Sequence, residues 1–213
     1  MHKSVLITRP NHDLATTYLY WWTSKVIDKC REKRIEYFDL KSKKASKKNF
    51  DSYVRKNNPS FLFLNGHGSD KIITGWDNEI LLNADDKLEV VGRIIYARSC
   101  MAGAELGKAC VNAGAKAFIG YSKNYVFLYL ISRETKPLTD TLAEVFLEPA
   151  NLIAISLIKG NTVQEADLKS KKMMIKNLRS ILSSGKSDGK EIASYLWHNI
   201  KYQVIVGDAS ARI

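Results

Sequence analysis

The sequence predicts an α/β fold: a mainly parallel central sheet with helices on both faces. Three observations carry this. Short β-branched or aromatic apolar runs alternate along the chain with longer stretches whose apolar residues recur at helical spacing. The run at residues 60–65, Ser-Phe-Leu-Phe-Leu-Asn, holds four consecutive apolar residues, which implies cover on both faces. Gly, Pro and Asn clusters separate the runs from the helical stretches.

Residues 3–8 form the first expected strand, stopped by Arg9-Pro10-Asn11. Asp13 stands where it can cap a long helix over 14–34, which is free of Gly and Pro and carries Leu19, Trp22, Val26, Ile27 and Cys30 on one face. A strand at 35–40 and a helix at 47–56 follow, the latter ended by Asn57-Asn58-Pro59. The third strand, 60–65, stops at Gly66-His67-Gly68-Ser69. A small hairpin over 71–82 leads to a segment ending at Gly92. The fourth strand, 93–97, runs into Arg98-Ser99-Cys100, with a small-residue helix over 101–113 expected at once. A fifth strand at 116–121 precedes an aromatic stretch, 125–129, and helical segments at 138–147, 150–159 and 162–183. A loop at 184–189, a helix at 191–199 and a strand at 202–206 complete the pattern. No repeat or linker divides the chain, so residues 1–213 are expected to form one domain.

The net charge is +11, and residues 1–60 carry fourteen Lys and Arg against six Asp and Glu. The densest run, Lys41-Ser42-Lys43-Lys44-Ala45-Ser46-Lys47-Lys48, has no interleaved aromatics and reads as a solvated loop and helix start, with a polyanion-binding surface as the alternative. The expected location is cytoplasmic with no membrane association: no leader is apparent, and no stretch approaches the ~20 apolar residues of a membrane span. Three cysteines, Cys30, Cys100 and Cys110, argue against a disulfide framework. No Cys-x-x-Cys or His-x-x-His spacing is present, so neither a metal nor another cofactor is expected.

Ligands of open α/β sheets bind beyond the carboxyl ends of the strands. Two expected central strands end there in reactive residues, His67 and Cys100. If the strands are neighbours, a spacing of ~5 Å brings both side chains over one crevice. Thiol attack on a carbonyl needs a thiolate, a proton donor for the leaving group and donors for the oxyanion. Cys100 just before a helix would have its thiol pKa lowered, and His67 exchanges protons near neutral pH. The backbone N–H groups of Gly68 and Cys100 are the expected oxyanion hole. Taken singly, each residue has a bland reading: a buried small hydrophobe and a common turn.

Gly66-His67-Gly68-Ser69 after one apolar strand, and Cys100-Met101-Ala102-Gly103 after the next, resemble the caspase-like (clan CD) cysteine peptidases. The segment 116–122, Lys-Ala-Phe-Ile-Gly-Tyr-Ser, resembles the strand that follows the nucleophile in that clan, and the helices after it are closer to the gingipain and CHAT branches. The resemblance implies a caspase-like three-layer sandwich. It makes Cys100 the nucleophile and His67 the general acid/base of an endopeptidase acting through a thioester on a protein or peptide substrate, with a regulatory protein partner as a further expectation.

Arg98, two before Cys100, occupies a position that lines the substrate pocket in several branches of the clan. A cation there would favour cleavage after an acidic or small residue; the alternative is that Arg98 points away or pairs in the core. Ser122, Arg133 and Asp208 are the other substrate-binding candidates, Asp208 if it shares the rim of Cys100. Asn65 is the nearest candidate to orient His67. Cys30, Cys110 and His198 read as structural, and His2 and His12 lie at a terminus and a loop. Two other functions remain open: a catalytically silent interaction module, and a basic nucleic-acid-binding domain, which lacks a Gly-rich phosphate loop at Thr8-Arg9-Pro10-Asn11.

Overall fold

A computed structural model gives the structure of the chain and describes residues 3–185 and 187–213; His2, and Lys186 of the 184–189 loop, lie outside the described residues. The strands are β1 (Ser4–Arg9), β2 (Glu36–Lys41), β3 (Phe61–Asn65), β4 (Ile72–Thr74), β5 (Ile80–Asn83), β6 (Ile94–Arg98), β7 (Ala117–Tyr121) and β8 (Gln203–Gly207). Six of them form one sheet in the order β2-β1-β3-β6-β7-β8, and β4 pairs with β5 in a separate hairpin. The first five sheet strands are parallel and β8 lies antiparallel on β7.

Alternation along the strands assigns the two faces. Val5, Ile7, Phe61, Phe63, Ile94, Tyr96, Ala117 and Ile119 point into one core. That core is closed by α2 (Ser24–Glu32), α5 (Thr141–Ile158) and the start of α6 (Val163–Ser183). Leu6, Leu62, Leu64, Ile95, Ala97 and Phe118 point the other way, under α3 (Lys47–Asn57), α4 (Glu105–Asn112) and the β4–β5 hairpin. Both faces are covered, and for this reason β3 and β6 are apolar almost throughout. The fold is thus the expected three-layer α/β sandwich. A further cluster of Phe146, Met174, Ile192 and Leu196 joins α5, α6 and α7 (Gly189–Tyr202).

Three helices differ from expectation, each for an identifiable reason. The helix expected over 14–34 is two, α1 (Leu14–Trp22) and α2, parted at Thr23. At that point buried side chains take the carbonyls: Asn151 donates to Trp22 O (2.7 Å), and Arg98 donates to Leu19 O and to the Thr23 hydroxyl. Conversely, the segments expected at 138–147 and 150–159 are one helix, α5, running through Pro149. A proline ring leaves the carbonyl four residues back without its helical donor. Here that carbonyl, Val145 O, accepts from Asn177 Nδ2 of α6 at 2.9 Å. By length and apolar composition α5 also meets the test for a membrane span, yet most of it is buried against the sheet as a core helix. Finally, α4 begins at Glu105 and not at Met101, with a turn between it and Cys100.

Candidate active site

β3 and β6 are hydrogen-bonded neighbours in register, with Asn65 opposite Arg98. His67 and Cys100 each lie two residues beyond that pair, so both leave the sheet at the same edge. The two loops touch: a Cβ added to Gly68 would stand 2.2 Å from Ser99 Oγ, 2.5 Å from Ile72 O and 3.3 Å from Cys100 O. Gly66 is equally tight, with Thr74 O at 2.0 Å from an added Cβ. Gly68 therefore lets the two strand ends meet, and Gly66 lets β4 close against the end of β3. His67 and Cys100 line one cleft of about 310 Å³, together with Ala15, Thr16 and Leu19 of α1 and with Tyr125, Val126 and Phe127.

A third strand end contributes. β1, the other neighbour of β3, runs into the loop that carries Asp13, the N-cap of α1. One oxygen of Asp13, Oδ1, accepts from the Thr16 amide at 2.8 Å and closes a capping box. The other, Oδ2, lies 2.6 Å from His67 Nε2. Burial raises the Asp13 pKa, but the bonds from Thr16 and His67 outweigh it and hold the carboxyl below its ordinary value. A carboxylate accepting from Nε2 fixes the imidazole tautomer and leaves Nδ1 as the proton acceptor. Sequence reasoning saw Asp13 only as a cap, because its imidazole partner is 54 residues away. Asn65, the expected orienting residue, is buried and engaged elsewhere: it donates to Thr8 O (2.7 Å) and accepts from Arg98 Nε (2.6 Å).

Cys100 is partly exposed and its thiol donates to Tyr125 O at 3.8 Å. Burial raises its pKa, the reverse of the lowering expected from an adjoining helix. The turn that displaces the helix explains the difference, since the dipole effect falls off within the first turn. This turn is pinned to β7 and its exit by Met101 N–H to Lys123 O (2.9 Å) and Gly103 N–H to Tyr121 O (2.9 Å). Among the described residues, the N–H groups of Gly68 and Cys100 donate to no acceptor in the chain, as an oxyanion hole requires. The cleft wall at 125–127 is held by Asn199 of α7, which accepts from Val126 N–H (3.1 Å) and donates to Val126 O (2.6 Å). His198 Nε2 adds a bond to Asn124 O at 2.9 Å, a structural role.

The substrate-binding expectations fare differently. Arg98 is 0% exposed, and its guanidinium donates to Asn65, Asn151, Leu19 O and Thr23. It lies under the cleft as a structural tie and presents no cation to a substrate. Strand alternation explains this, because Arg98 follows Ile94 and Tyr96 on the face covered by α2 and α5. Asp208 sits at the far end of the sheet: β8 is antiparallel, with Gly207 opposite Ala117 at the start of β7. It is occupied there with Ser210 N–H and Oγ (2.8 and 2.6 Å). Ser122 is tied to Tyr202 O, and Arg133 is exposed on a turn over Ile131–Arg133; neither lines the cleft. Cys30 and Cys110 are buried, and burial pushes both thiols up to about 12.

No protein-family model and no curated protein sequence matches this chain. Solved structures do. The crystal structure of gingipain R, an Arg-specific cysteine proteinase, superposes with a TM-score of 0.61 at 11% identity, over 100% of this chain and 47% of that one. The complex of pro- and mature domains of the Porphyromonas gingivalis enzyme gives 0.57 at 11% identity, over 100% and 48%. The chain spans about half the length of these structures. It has the fold of the gingipain cysteine proteinases.

Proposed function

We propose that this chain is a cysteine-type endopeptidase in which Cys100 is the nucleophile, His67 the general base and acid, and Asp13 the residue that positions His67. The observation that carries this reading is the convergence of three adjacent strand ends on one cleft, with a carboxylate–imidazole pair of 2.6 Å beside a partly exposed thiol. Because burial raises the Cys100 pKa, the thiol rests neutral and loses its proton as it reacts. His67 Nδ1 takes that proton while Sγ bonds to the substrate carbonyl carbon. The Gly68 and Cys100 amides receive the oxyanion. The imidazolium, stabilised by Asp13, then protonates the departing amine as the C–N bond breaks. Water attacks the thioester with His67 again as base, and the acid departs as the thiol is restored.

The cleft wall argues for the substrate. Among the residues lining it the formally charged side chain is the saturated Arg98, while Leu19, Tyr125, Val126 and Phe127 offer apolar surface. An unpaired charge brought there would cost several kcal/mol. A protein or peptide substrate with an uncharged, apolar side chain before the scissile bond fits best. The acidic preference expected from Arg98 has lost its cation. Profiling a peptide library tests this: cleavage after apolar residues, lost in C100S and H67A, is expected. Cleavage concentrated after Asp, Glu, Arg or Lys would overturn the substrate reading, and turnover surviving in C100S would overturn the mechanism.

A further inference from the structure

Beside the dyad stands a histidine the mechanism leaves without a task. The side chain of His12 is only 10% exposed, and neither Nδ1 nor Nε2 has a hydrogen-bond partner. A buried imidazole with both nitrogens orphaned forfeits the free energy of bonds it would make in water. Its ring packs edge-on to Trp76 (5.6 Å between centroids) and to His67 (6.0 Å). Its Nε2 lies 3.5 Å from Asp13 Oδ2, the same oxygen that meets His67 Nε2. His12, Asp13 and His67 thus offer three ligand atoms within 4.8 Å of one another.

We propose that these three residues bind a Zn2+ ion, and that the bound ion holds the peptidase inactive. The second half rests on the peptidase reading above; the first does not. Two imidazoles, one carboxylate and an open side are a donor set suited to four-coordinate zinc completed by water. Bonds of about 2.0–2.1 Å in tetrahedral array set ligand atoms roughly 3.3–3.5 Å apart. The His12–Asp13 separation of 3.5 Å already meets that spacing, and the His67–Asp13 contact of 2.6 Å must open by somewhat under an ångström. His67, with 44% of its side chain exposed, has room to move.

The proton balance gives the inhibition. Zinc takes the Nε2 lone pair facing Asp13 Oδ2, so the single proton of the neutral imidazole moves from Nε2 to Nδ1. Nδ1 is then a donor and cannot take the proton of Cys100. Asp13 is simultaneously spent as a metal ligand. The spacing of ligands along the chain conceals the site, because they come from two strand ends and carry no short zinc motif.

Binding is read in C100S, so that no thiol at the cleft takes part. Calorimetry with Zn2+ and visible spectroscopy with Co2+ are expected to show one ion per chain and the bands of a tetrahedral site. H12Q, checked for an unchanged unfolding midpoint and paired with H12A, should weaken binding by more than about 100-fold, the upper end of what loss of an outer-shell partner costs. In the chain with Cys100 intact, Zn2+ should slow labelling of Cys100 by an acyloxymethyl ketone peptide, and H12Q should label at the same rate with or without it. Absence of a 1:1 site, full affinity in H12Q, or equal zinc inhibition of both chains would overturn the proposal. Because binding is measured without the thiol, failure of the peptidase reading leaves that result standing and separately legible.

Discussion

At the scale of single residues, Asp13 has two tasks that one substitution can separate. Asn serves as an N-cap about as well as Asp, so D13N keeps the end of α1 while removing the charge opposite His67. Its expected signature is a fall in kcat/KM of about 10²-fold or more with an unchanged unfolding midpoint, on the scale of general acid–base and tautomer effects. A parallel loss of stability and activity would make Asp13 a cap alone. Arg98 is the opposite case, a charged residue with a structural task. R98A takes the donor from Asn65 Oδ1, Asn151 Oδ1 and the Thr23 hydroxyl, while Leu19 O keeps the Thr23 amide, and should lower unfolding free energy in denaturant titration by about 1–3 kcal/mol for each buried acceptor left unpaired. The sequence made His67 and Cys100 legible because each closes an apolar strand beside a glycine or another small residue. Arg98 is legible too, because the alternation Ile94, Tyr96, Arg98 sets its side-chain direction towards the covered face whatever its proximity to the nucleophile. Asp13 is not, since nothing local to it records a partner on β3.

Elements differ in how far local pattern reaches. The strands of the sheet appear within a residue or so of expectation, because apolar runs bounded by turn residues are local signals. Helix breaks depart from local pattern wherever another element supplies or takes a backbone bond. α5 continues through Pro149 because Asn177 satisfies Val145 O from outside. Removing that donor should cost about 1 kcal/mol in N177A. In a P149A background, where the helix supplies its own N–H, the same change should cost close to nothing, and a double-mutant cycle in denaturant reads the difference. The turn between Cys100 and α4 is likewise set from outside, by β7. An added Cβ at Gly103 would stand 3.0 Å from Tyr121 backbone atoms. G103A should therefore displace this turn and lower both stability and Cys100 reactivity. The antiparallel course of β8, which carries Asp208 away from the cleft, depends on how α7 returns the chain and has no local sequence signal.

For the molecule as a whole, the two fully buried thiols make stability depend on alkaline pH. Cys30 and Cys110 have folded pKa values near 12, above the ordinary thiol value of about 8.5. Their contribution to stability is complete below that ordinary value and is lost as pH rises from there towards 12. Melting temperature should fall over that range, and less steeply in the C30A/C110A double variant, although cavities lower its baseline. The lysines of the run 41–48 lie at a turn over Ser42–Lys44 and the start of α3, with Ala45 between them turned into the core.

The central claim concerns which sulfur reacts and why, and mass spectrometry of the adduct formed with an acyloxymethyl ketone peptide reads it directly. Cys100 alone should be modified, rapidly, with the rate collapsing in H67A while Cys30 and Cys110 stay unlabelled. Slow modification spread over all three cysteines, or labelling of Cys100 indifferent to His67, would contradict the account.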